Sequence, residues 1–221
     1  MMHVDLSHVT KGRRGQALPA TSLSYASREA RLAIAETEQR PTVLGLIASG
    51  RMRPDTGSVT IDGAANASAL RRCVALVDAP EVSDPAPNVT VGTVVAEELM
   101  FAGRPSNPKA TRAWLREHGQ AEHLRVPIAD VRPADRLRML LELAVLRDGV
   151  EGIVLVSPDR HGGDPRVWWD LAEEFAGRGY AVLVVAGEAS GTVLAGRATL
   201  ASPADPLVSD AAQDESVEVT A

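Results

Sequence analysis

The chain has 221 residues, enough for one large domain or one domain with a small insertion. Most of its formal charge of −6 sits in its last stretch. Five of the 29 acids (Asp205, Asp210, Asp214, Glu215, Glu218) lie in residues 201–221, which hold no Lys or Arg, so the rest has 24 acids against 23 bases. That balance excludes a basic nucleic-acid footprint, no apolar run approaches the ~20 residues of a membrane span, and the lone Cys73 permits no internal disulfide, as in a reducing compartment.

The first residues, Met-Met-His-Val-Asp-Leu-Ser, lack the basic-then-apolar order of a signal peptide. Short β-type runs are expected over 4–6, 32–35, 58–61, 73–77, 153–156, 181–185 and 198–200. A helix follows Pro41 as far as about residue 49, and 50–57 is turn-rich. Cys73 falls in the apolar run 73–77 and is expected to be a buried thiol. Asp78, after that run, is expected to be a solvated strand-end residue.

From about residue 87 the composition changes. Pro85, Pro87, Pro105 and Pro108 punctuate two helical pieces, 92–100 and 109–118, and His118 and His123 flank a helix end as structural or solvated residues. The strongest helix is 133–146, where Leu137, Leu140, Leu141, Ala144 and Val145 form one apolar face. Pro133 suits its first position and Asp135 its positive end. The runs 153–156 and 181–185 are apolar throughout, as parallel strands covered on both faces must be, and helix-patterned 167–176 between them completes a βαβ unit. Trp168 and Trp169 lie within that helix. One is expected in the core, and its neighbour, about 100° round the helix, partly exposed and available for contact. The reading is one domain over 1–201 with an inserted helical subdomain at about 87–147, followed by an acidic, disordered tail over 202–221.

In order and spacing, several pieces resemble the ATP-binding cassette (ABC) ATPases. They are Arg53-Pro-Asp-Thr-Gly-Ser-Val-Thr-Ile-Asp-Gly63, Asn88-Val-Thr-Val-Gly-Thr-Val-Val-Ala-Glu-Glu-Leu99, Gly163-Asp164-Pro165 and Ala181-Val-Leu-Val-Val-Ala-Gly187. The likeness runs from about residue 3 to 200. It implies an α/β, P-loop NTPase-like cassette fold with a mixed sheet core, an antiparallel β part and an inserted helical subdomain.

The chemistry of that family is altered residue by residue. Its phosphate loop, Gly-x-x-x-x-Gly-Lys-Ser/Thr, aligns with Ala35-Glu-Thr-Glu-Gln-Arg-Pro-Thr42. Glycines are needed there for positive φ and close approach to phosphate, yet Ala35 and Arg40 stand in those places and Pro41 replaces the lysine. Glu36 and Glu38 set carboxylates where a polyanion would sit, and only Thr42 fits. Ala79 takes the place of the glutamine, Val131-Arg-Pro-Ala-Asp135 that of the Leu-Ser-Gly-Gly-Gln signature, and Gly187 that of the switch histidine. The Asp-Glu pair that holds Mg²⁺ and polarises water aligns with Ser157-Pro158, which do neither. No aromatic residue stands near Lys11-Gly-Arg-Arg14 to stack on adenine.

The resemblance therefore implies a catalytically inactive, cytoplasmic pseudo-ATPase without cofactor. It would act on an integral membrane protein, an active ABC ATPase subunit, or both, as a homo- or heterodimer and without inserting into the membrane itself. Alternatives are an ATP-binding subunit with a rebuilt ATP and Mg²⁺ site, for which Arg40, Thr42 and Asp159 are candidates, and a soluble scaffold unrelated to transport. Asp159, His161 and Asp164 have the side chains of a metal or hydrolytic cluster. Asp164, Pro165, Trp168 and Trp169 are the interface candidates.

Overall fold

The computed structural model describes residues 1–36 and 40–201; residues 37–39, including Glu38, and the tail 202–221 lie outside the described residues. An antiparallel sheet forms from β1 (His3–Lys11), β2 (Leu18–Ala26) and β4 (Thr56–Ile61) in the order β2-β1-β4. A parallel sheet forms from β3 (Ala30–Ile34), β5 (Val74–Val77), β6 (Gly152–Val156) and β7 (Ala181–Ala186) in the order β3-β7-β6-β5. The helices are α1 (Arg40–Ala48), α2 (Ala67–Cys73), α3 (Val91–Phe101), α4 (Pro108–Glu117), α5 (Pro133–Ala144), α6 (Pro165–Gly177) and α7 (Glu188–Val193).

Every residue of β5, β6 and β7 is buried, because helices or the other sheet cover both faces of the parallel sheet. Alternate side chains serve two cores. Val77, Leu155 and Val184 join α3, α5 and α6 on one side, whereas Leu76, Val154 and Val185 join α1 and the antiparallel sheet on the other. In β1, Leu6 and Val9 are three apart, which would put them on opposite faces of a regular strand, yet both are buried. A register shift between them, with His8 at φ 49°, returns Val9 to the core side.

Local chemistry sets the helix starts. Asn107 accepts from the N–H groups of Lys109 and Ala110 ahead of Pro108, and Asp164 accepts from the N–H of Arg166 ahead of Pro165. Helices α3 to α5 make the helical insert, packed through Val94, Leu115 and Leu141. His118 stacks on Trp114 and His123 meets Gln120, both structural.

Four details depart from the sequence reading. Strand β2 was not expected. Residues 198–200 contribute only an isolated bridge from Leu200 to Leu32. Cys73 ends α2 rather than starting β5 and is half-buried. Trp168 and Trp169 are both buried, so neither is the partly exposed contact residue expected. Helix α6 is flanked by β3 and β7, by α5 and by α7, so its covered arc exceeds 100°.

Helix α1 lies close against the sheet through a glycine. A Cβ at Gly45 would come 2.5 Å from Cγ2 of Val156 and 3.3 Å from Cδ1 of Leu76. Alanine for glycine inside a helix normally gains about 1 kcal/mol. Gly45→Ala is instead expected to lose about 1–3 kcal/mol through overpacking, read as a lower urea midpoint. Gly177→Ala in α6, with open space around it, serves as the control and should not lose stability.

Candidate functional site

Ligands of open parallel sheets bind at the carboxyl ends of the strands, and here three ends lie side by side. Ile34 pairs with Ala186 and Val156 with Val185. The chain leaves these strands through Ala35-Glu36, Ser157-Pro158-Asp159 and Gly187-Glu188, while β5 beside β6 leaves through Asp78.

The carboxylates along this edge are engaged by the protein itself. Asp159 Oδ2 accepts from the N–H of Gly187 at 2.9 Å and from the Ser190 hydroxyl at 3.1 Å. The carboxylate of Glu36 accepts from the N–H of Glu188. Two acids thus satisfy donors at the start of α7, where the unpaired N–H groups and the helix dipole favour negative charge. Gly187 makes the approach possible: its Cβ would stand 3.1 Å from Glu36 Oε1 and 3.3 Å from Asp159 Oδ2. Ser157, in left-handed backbone at φ 49°, donates its N–H to Val185 O at 2.8 Å.

Asp78 overturns the expectation of a solvated strand end, since its side chain is 0% exposed. Arg136, in the first turn of α5, donates Nη1 to Oδ2 and Nη2 to Oδ1, both at 2.7 Å. Arg160 reaches Oδ1 at 3.0 Å and the Asp78 carbonyl at 2.6 Å. His161 Nε2 lies 3.0 Å from Oδ2. An ionised carboxylate only accepts, so that nitrogen carries a proton. Burial pushes the Asp78 carboxyl up, but the hydrogen bonds from His161 and Arg136 and the charges of Arg136 and Arg160 outweigh it and hold it below the usual aspartate value. Asp84 adds a further contact to Arg160 at 3.2 Å. A signal for this group existed in the sequence: Arg136 stands four residues before Leu140 on the apolar stripe of α5, where a cation needs a buried partner.

The candidate residues do not converge. Arg40 and Thr42 fall at the start of α1, and neither makes an ion pair among the described residues. Neither Ala35 nor Arg40 has the left-handed backbone of a phosphate loop. Asp159, His161 and Asp164 turn to separate tasks, on α7, on Asp78 and on the start of α6 respectively. No group of three metal-ligating side chains forms among the described residues. Asp164 is exposed and Pro165 half-buried. With Pro133, Pro158 and the edge of Trp168, Asp164 lines a groove of about 300 Å³ between the β6–α6 loop and the start of α5.

A parallel sheet between two cores, an antiparallel sheet on one side and a three-helix insert between β5 and β6 define the fold of the ATP-binding cassettes. The chain is similar to a nucleotide-free ATP-binding cassette from an ABC transporter, with TM-score 0.61 and 14% identity over 88% of this chain and 84% of that one. It is also similar to the ATP-binding subunit of an ABC transporter, with TM-score 0.58 and 17% identity over 86% of this chain and 81% of that one. No protein-family model and no curated protein matches it.

Removing Asp78 leaves Arg136 buried without a counter-charge, so Asp78→Ala is expected to lose about 3–5 kcal/mol at pH 7. The sign with pH follows from a folded pKa below the unfolded one. The contribution is complete above about pH 4, the ordinary aspartate value, and is lost as the pH falls through the folded value. Denaturant midpoints of wild type and Asp78→Asn should therefore converge as the pH is lowered; parallel profiles would contradict the ion-pair account.

Proposed function

We propose that this protein is a cassette-fold subunit that binds partners without hydrolysing ATP. The observation that carries the reading is the strand-end edge, where Glu36 and Asp159 both point onto the donors of Gly187 and Glu188. A nucleotide phosphate brought there meets two carboxylates. Each contact at about 4 Å costs on the order of 1–4 kcal/mol at effective dielectrics of 80 to 20. The lost motif residues agree: Pro41 for the phosphate-loop lysine, and Ser157-Pro158 for the acids that serve Mg²⁺ and water.

The partner is an integral membrane protein or an active ABC ATPase, by analogy of fold with the two transporter cassettes. A cleft of about 360 Å³ between the parallel sheet and the helical insert supports such docking. Its rim carries Val82 and Phe101, 50% and 66% exposed, beside exposed Met100. Apolar side chains grouped around a cleft on a surface are characteristic of a contact site. Membrane attachment then runs through the partner, for no helix among the described residues is long and apolar enough to cross a bilayer.

Purified protein should show no ATPase activity and no thermal shift with Mg-ATP. A shift that Arg40→Ala or Thr42→Ala abolishes would overturn the reading in favour of a rebuilt ATP site. Val82→Asp with Phe101→Asp should leave the melting temperature unchanged and abolish recovery of a membrane protein from native cells. If the recovered partners are all soluble, a scaffold unrelated to transport replaces the transport reading.

A further inference from the structure

A second cleft, of about 620 Å³, opens between α1, α2 and the antiparallel sheet. It carries three arginines, Arg51, Arg53 and Arg71, and Asp55, the acid on its wall, is taken by Lys11 at 2.6 Å. None of the three arginines has an ion pair among the described residues. Neutral carbonyls hold two of them in place: Arg51 Nη1 donates to Ser49 O and Val74 O, and Arg71 Nη1 to Gly50 O. Those bonds fix the guanidinium groups but leave their charge uncompensated. Burial pulls the pKa of Arg51 down first, and the positive charges of Arg147 and Arg71 pull it further. Met52 and Val59, both half-buried, add apolar wall. The site is therefore built for a segment that carries both carboxylates and apolar side chains.

Such a segment belongs to the same chain. Residues 202–221 contain five acids and no base, and Asp214-Glu-Ser-Val-Glu-Val219 mixes acids with valines. The described chain ends at Ala201, whose N–H bonds Leu32 O on β3 and which packs into the core shared with α1 and the antiparallel sheet. Ile47 and Leu70, in the cleft wall, belong to that same core, so Ala201 lies on the side of the parallel sheet where the cleft opens. Reach is ample. Strand β3 is three strand spacings from β5, which Arg51 touches through Val74, a separation of about 14 Å. The thirteen residues from Ala201 to Asp214 span up to roughly 43 Å when extended.

We propose that the acidic segment 214–219 seats on this cleft of its own chain, its carboxylates against Arg51, Arg53 and Arg71 and its valines against Met52 and Val59. The proposal does not depend on the ATPase reading.

The test uses the full chain with Cys73→Ser and a nitroxide on Ser216→Cys, and reads line broadening of backbone amides by NMR. Broadening is expected around 51–59 and 67–71. It should be lost in Asp214→Asn/Glu215→Gln/Glu218→Gln, which leaves the folded body untouched, and be weakened by Arg53→Glu. It should also be lost on raising salt from about 0.05 to 0.5 M, which shortens the screening length severalfold. The control Arg112→Glu/Arg116→Glu, on exposed positions of α4, should keep it. Broadening absent from the cleft, centred on α4, or surviving neutralisation of the tail overturns the proposal. So does broadening transferred from a labelled copy to an isotope-enriched unlabelled one, which would mean that the segment seats on a second molecule.

Discussion

Asp78 ends a strand that is buried on both faces, and a carboxylate there has no access to water. Its desolvation alone would cost several kcal/mol, and only a full set of partners makes the charged form stable. The chain provides that set from two distant places, the first turn of α5 and the turn after β6. Because α5 belongs to the helical insert and β5 and β6 to the parallel sheet, the ion-pair group is a joint between the two. Arg136 is bidentate and rigid, so it sets orientation as well as distance. An insert held in this way has its angle to the sheet set by these ion pairs together with the apolar packing of α3 and α5 on the strands.

The same economy governs the other strand ends. An exposed glutamate and a half-buried aspartate would be liabilities beside one another, but each finds donors at the start of α7. That helix has six residues, and its free N–H groups are few. Asp159 occupies one directly and a hydroxyl within the helix besides, and Glu36 takes the next. A phosphate arriving at this edge therefore competes with bonds already made, and it meets like charges while doing so. Electrostatics and hydrogen-bond supply both act against it.

Much of this frame could be read from the residues, and the exceptions have physical causes. Apolar runs announce β5, β6 and β7 because burial on both faces leaves no polar position. Strand β2 lacks that pattern: Pro19, Ala20, Thr21 and Ser22 face outward or lie half-covered, and only Leu18, Leu23 and Tyr25 are buried. Helix α2 is too short for a period to show. At the site, the residue types at the strand ends were legible one by one. Where their side chains turn was not, because Asp78–Arg136 and Asp159–Gly187 join residues far apart in sequence. The tryptophan pair was misjudged because 100° of helix rotation implies exposure only where one side of the helix is free, and α6 has neighbours on several sides.

The order of this fold comes from inside the chain. The cores lie on either side of the parallel sheet and draw mainly on strand and helix interiors. Of the residues that align with the family's motifs, Ala35 and Ala79 join one core, whereas Ser157 and Gly187 lie in turns outside it, so those turns contribute little of the apolar burial that is the main source of stability. The fixed relation between insert and sheet is reinforced internally by Asp78 with its arginines. A surface held in one geometry by its own ion pairs incurs less ordering cost when a partner docks. The exposed rim of Val82 and Phe101 lies beside the Asp78 joint on the same cleft, so the ion pairs that settle the insert also fix the shape that a partner would meet.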